Sequence, residues 1–182
     1  MTTLDLFTRL AATHKPNCML SLQGPLPQAV PDPETLARTL GSDAVALYAR
    51  ECKPVYEDLR RVIGQLAGLL ILARLTARTE MTDLPEMQQC RARWRDAEQR
   101  LAALEPPTGL PAHKAQLVSA HAFSGQVMHG FSALRPSGDA TVQLDLMSVQ
   151  IKRAYAHLDA ASSTKAGLQM VDFTHACCAC AH

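Results

Sequence analysis

From Met87 to Leu104 the apolar positions fall in alternating steps of three and four: Met87, Cys90, Trp94, Ala97, Leu101 and Leu104. A helix with 3.6 residues per turn gathers all six on one side, whereas a strand would scatter them over both faces. This spacing therefore predicts an amphipathic helix over residues 85–104. Three further segments read the same way. Residues 55–78 carry a broad apolar face from Leu59 to Ala73. Residues 112–134 align Leu117, His121, Ser124, Met128 and Phe131, and residues 140–162 align Leu144, Met147, Ile151, Ala154, Tyr155 and Leu158. The punctuations "EPPTGLP" and "RPSGD" are short, and short links between long helices favour antiparallel neighbours. The expected fold class is all-α: a four-helix bundle with one to three short N-terminal helices packed on it and a Cys/His-rich C-terminal tail.

The N-terminal third is less regular. Residues 3–13 read as a short amphipathic helix, with Asp5 and Arg9 interrupting any resemblance to a secretory leader. Residues 14–31 form an irregular connection rich in proline, with an extended piece at Met19–Leu22. Asp32-Pro33-Glu34 supplies a capping side chain, a proline for the first turn and an acid at the positive helix end. Helix restarts at Ser42-Asp43 after Gly41, and Pro54 is expected to begin or kink the next one. Residues 1–174 thus read as one helical-bundle domain and residues 175–182 as a separate tail.

Composition narrows the function classes. Hydrophobic residues make up 47% and charged residues 19% of 182, which suits a packed core and not a disordered chain. A net charge of +1 without basic clusters, together with 4% aromatics, argues against a nucleic-acid partner. The most apolar run lies between Arg61 and Arg74 and holds 12 uncharged residues, against about 20 needed to span a bilayer. No membrane partner is expected, and the setting is expected to be cytoplasmic. The six cysteines then read as reduced, so metal binding or thiol chemistry ranks above a disulfide framework.

Chemistry concentrates in "HACCACAH". Cys177, Cys178 and Cys180 stand with His175 and His182 inside eight residues, spaced only by alanine. Thiolate and imidazole are the ligands of copper, zinc and iron–sulfur centres, and thiolates disfavour hard ions such as calcium. In extended backbone Cys178, Cys180 and His182 share one side; a turn instead joins Cys177 with Cys180 in the C-x-x-C spacing of many metal sites. These five residues are the expected metal ligands, and copper(I) or zinc the expected ion. Cys177-Cys178-Ala179-Cys180 also resembles the copper-binding stretch of small mitochondrial copper chaperones of the coiled-coil–helix type. That resemblance covers four residues and implies copper(I) held through Cys177 and Cys178.

The leading reading is a soft-metal-binding protein acting in metal handling, sensing or as a structural clasp. Its partners would be the metal ion and a protein that exchanges metal or sulfur with it, with a homodimer also open. A second reading is a thiol redox or sulfur-carrier protein with a mobile dithiol tail. A third is a metalloenzyme with the metal between tail and bundle, His121 or His129 supplying acid–base chemistry.

Other residues carry weaker signals. His121, Gly125 and His129 recur at four-residue intervals, but the two imidazoles lie about 12 Å apart along a helix axis, too far to share one ion. The plainer expectation is a hydrogen-bonded core histidine, a surface histidine and a glycine that permits close packing. Asp172, three residues before His175, is placed to orient that imidazole if helix continues there. Cys90 and Cys52 read as structural, and Cys18 as a further ligand if the fold brings it to the tail. The chain has no Glu-x-x-His pair, no H-E-x-x-H, and no phosphate-loop or nucleophile-elbow pattern.

Overall fold

The computed structural model describes residues 32–76, 82–134 and 140–170. The expected helix at 3–13, the connection at 14–31, Cys18, Asp172 and the tail 175–182 lie outside the described residues. Within them the protein is all-helical: α1 (Pro33–Leu40), α2 (Asp43–Thr76), α3 (Pro85–Ala103), α4 (Pro111–Ala133) and α5 (Ala140–Ala160). The one β feature among the described residues is an isolated bridge between Ser163 and Leu168.

α1, α3 and α4 begin where the sequence offers a start. Asp32 accepts hydrogen bonds from Glu34 N at 3.0 Å and Thr35 N at 3.1 Å, satisfying two amides that have no partner inside α1. Gly41 ends that helix at φ 76°, a left-handed conformation that glycine adopts without steric cost, and its N–H returns to Ala37 O at 2.7 Å. α3 and α4 both open on proline, at Pro85 and Pro111, where a missing N–H costs no bond. The Lys114 ammonium donates to Leu104 O at 2.6 Å and caps the carbonyl end of α3.

Pro54 does not start a helix. α2 runs unbroken for 34 residues and contains it. An interior proline removes one backbone bond and costs about 3 kcal/mol in an exposed helix. Here Cys52 and Val55 on either side are wholly buried while Pro54 faces solvent. Packing of the flanking turns outweighs the lost bond, since each fully buried apolar side chain contributes roughly 1.5–3 kcal/mol.

α2 is the central element, packing against α1, α3, α4 and α5, while α3 meets α4 and α4 meets α5. Its face from Leu59 to Ala73 is buried as the apolar spacing requires, and it meets Met87, Leu117, Phe131, Met147 and Leu158 in one continuous core. Tyr155 departs from the expected seam and is 41% exposed, because Ala154 and Leu158 already occupy the inward turn. The Tyr56 hydroxyl lies in the core without a hydrogen-bond partner among the described residues, and burial pushes its pKa up to about 12.

Polar contacts fix the helix registers. Arg93 donates to Gln65 Oε1 at 3.0 Å between α3 and α2, and Arg91 to Ser132 Oγ at 2.8 Å between α3 and α4. Arg74 joins α2 to α5 through Asp145 at 2.5 Å and Ser148 at 2.9 Å. A three-part relay links α2, α4 and the end of α5. The Tyr48 hydroxyl meets His113 Nδ1 at 3.0 Å, and His113 Nε2 donates to Ala161 O at 3.0 Å. No helix among the described residues is long and apolar enough to cross a membrane.

Candidate functional site

Two features with chemical character in the described residues are an aromatic interlock between α3 and α4 and the groove beside it. Trp94 is the only tryptophan of the chain. Its ring stacks on His121 with centroids 4.1 Å apart and planes 13° from parallel. Two reciprocal bonds lock the pair: Trp94 Nε1 donates to His121 O at 3.0 Å, and His121 Nε2 donates to Trp94 O at 3.2 Å. A carbonyl can only accept, so His121 carries its proton on Nε2. Burial pushes the His121 pKa down, against the pull of the Trp94 carbonyl and the Glu98 carboxylate. A neutral imidazole is therefore the folded form near pH 7.

Gly125 makes this interlock possible. A Cβ on that residue would lie 2.9 Å from Trp94 Cζ2, closer than two carbons pack. The space that glycine opens on α4 is thus filled by indole, and His121 on one side of it is the buried, hydrogen-bonded histidine. His129, two turns beyond His121, is exposed.

Between α4 and α5 lies a groove of about 560 Å³. Trp94 forms one wall; α4 lines it with Gly125, Gln126, His129, Gly130 and Ala133. From α5 come Gln143, Leu146, Met147 and Gln150. Gly130 lets α5 approach closely, since a Cβ there would meet Met147 Sδ at 2.5 Å. Gln150 Nε2 donates to Gln126 Oε1 at 3.1 Å across the groove. The sequence signals for this groove were present only in part: Gly125 and His129 stand out, but the glutamines, Gly130 and Met147 become meaningful only once α4 and α5 are paired.

The described cysteines have the character of core residues. Cys52 and Cys90 are wholly buried, and burial pushes both thiols up to about 11. For Cys52 this outweighs the neighbouring Tyr48 contact, which pulls the other way. The Cys90 thiol is 3.8 Å from Val62 O, a weak donor contact. Protonated buried thiols are poor nucleophiles and poor ligands. No group of three or more His, Cys, Asp or Glu side chains placed to hold a metal occurs among the described residues. The five expected ligands, Cys177, Cys178, Cys180, His175 and His182, lie outside them.

The last described segment precedes that cluster in sequence. Ser163 and Leu168 exchange backbone bonds of 2.7 and 2.9 Å, Leu168 is buried, and Arg60 Nη1 donates to Gln169 O at 2.8 Å. Residues up to Gln169 are therefore tied to the middle of α2, six residues before His175 in sequence. Compared with known proteins, the chain matches no protein family, no curated protein and no solved structure.

Proposed function

We propose that this protein binds a soft transition metal, copper(I) or zinc, through the Cys/His cluster at residues 175–182. Cys177, Cys178 and Cys180 act as thiolate ligands, and His175 or His182 completes the set. In this reading the four long helices form a bundle that carries the cluster, and the protein serves metal handling or sensing in the cytoplasm. The observation that carries the reading is the density of the cluster, with five soft or borderline ligands in eight residues. It is supported by the contrast with Cys52 and Cys90, whose burial and raised pKa values keep them protonated.

Ligand thiols must lose their protons to bind, so affinity weakens as pH falls. The test is competition between the full chain and a chromophoric chelator, run separately for copper(I) and zinc at pH 7.5 and at about pH 5.5. One equivalent of metal should transfer to the protein at the higher pH and return to the chelator at the lower. Replacing Cys177, Cys178 and Cys180 by serine should abolish transfer. No transfer of either metal, with a reversible two-electron thiol titration instead, would assign the cluster to dithiol chemistry.

A further inference from the structure

None of the described residues lining the groove between α4 and α5 is among the five proposed metal ligands, and the lining has a consistent chemistry. The described residues that line it include no Asp, Glu, Lys or Arg. Its polar groups are the amides of Gln126, Gln143 and Gln150 and the imidazole of His129. Its apolar surface includes the Trp94 indole, seated over Gly125, the Met147 thioether, seated over Gly130, and Leu146.

We infer that this groove is a binding site for an uncharged, flat heteroaromatic molecule with hydrogen-bond donor and acceptor atoms along one edge. Each element of that description follows from the lining. A charged ligand entering here would lose water without gaining a counter-charge from the described lining, which favours neutral molecules. The indole and the Met147 sulfur favour an aromatic ring over an aliphatic body of equal size. A glutamine amide presents a donor and an acceptor side by side, the pairing by which such side chains read an adenine edge.

The free amide is identifiable. Gln126 and Gln150 bind each other, whereas Gln143 and His129 have no hydrogen bond to another described residue. Gln143 and His129 are therefore the groups available to a ligand. The wall they face is pre-set, because the Trp94 ring is held by its Nε1 bond and by the His121 stack before any ligand arrives. Little ordering is left to oppose binding at that wall. The groove volume of about 560 Å³ lies within the range of small-molecule sites.

The single tryptophan makes the test direct, since its indole N–H gives one resonance that reports this groove alone. The full chain, labelled with ¹⁵N, is titrated with adenine. Cyclohexanecarboxamide, uncharged but not flat, and benzoate, flat but charged, are titrated in parallel. Adenine should shift the resonance saturably with a Kd on the order of 1 mM, as suits a ligand of its size. The two controls should not. Gln143→Ala and His129→Ala, both exposed positions whose replacement leaves the core intact, should each weaken adenine about fivefold, the effect of one neutral hydrogen bond. No shift with adenine up to about 10 mM would overturn the inference. Equal binding of either control, or adenine binding unchanged in both variants, would overturn it as well.

Discussion

Glycines of the same chemistry play opposite parts in this protein, and the difference is what a methyl group would meet. At Gly125 a Cβ would press on an indole held by a hydrogen bond and a stacked ring. Overpacking of this kind costs about 1–3 kcal/mol, more than the roughly 1 kcal/mol that alanine gains in a helix. Gly64 and Gly68 sit on the solvent face of α2 with nothing near them. Denaturant unfolding should show Gly125→Ala destabilised, and Gly64→Ala and Gly68→Ala each stabilised by about 0.5–1 kcal/mol. Stabilisation by all three would remove the steric account of Gly125. His121 makes a second prediction. Its folded pKa lies below the ordinary imidazole value near 6.5, chiefly because it is buried. On acidification through that range the unfolded chain takes up the proton first, so stability falls as pH drops below about 6.5. His121→Gln keeps a donor for Trp94 O without the titration. Its stability should vary less than that of wild type between pH 7 and about pH 5.5. An equally steep decline in both would show that the His121 proton does not couple to folding.

Helix spacing was the most legible property of the chain, and its limits have a physical origin. The expected helices at 85–104, 112–134 and 140–162 appear as Pro85–Ala103, Pro111–Ala133 and Ala140–Ala160. Periodicity marks all three, and proline marks the first turns of α3 and α4. Pro54 does not begin a helix as one alternative had it, because local propensity counts the lost backbone bond but not the burial of Cys52, Val55 and Tyr56 around it. The groove was hidden for a related reason. Its parts come from three helices, and no one helix shows that Gln143 and His129 face a common space. The Trp94–His121 interlock was half visible, since both residues stand on their expected apolar seams. That the ring of one binds the backbone of the other requires the pairing of α3 with α4. The reading of α2 predicts that Pro54→Ala restores a missing bond at an exposed position and stabilises the protein by about 1–3 kcal/mol. The midpoint of thermal unfolding measures this directly. A lower midpoint would mean that the proline conformation is itself required for α2 to pack.

At the scale of the whole molecule, five of the chain's six cysteines fall into two groups, a buried pair and a cluster in sequence. Cys52 and Cys90 belong to a helical core in which thiols behave as small apolar side chains. Cys177, Cys178 and Cys180 have alanine neighbours and two histidines, and nothing in their sequence suggests a core. The account rests on metal binding by that cluster, and the most direct measurement is elemental analysis of the full chain purified without added metal. Wild type is compared with the Cys177→Ser, Cys178→Ser, Cys180→Ser variant. We predict copper or zinc at about one equivalent in wild type and none in the variant. Metal-free wild type, or the same metal content in both proteins, would contradict it.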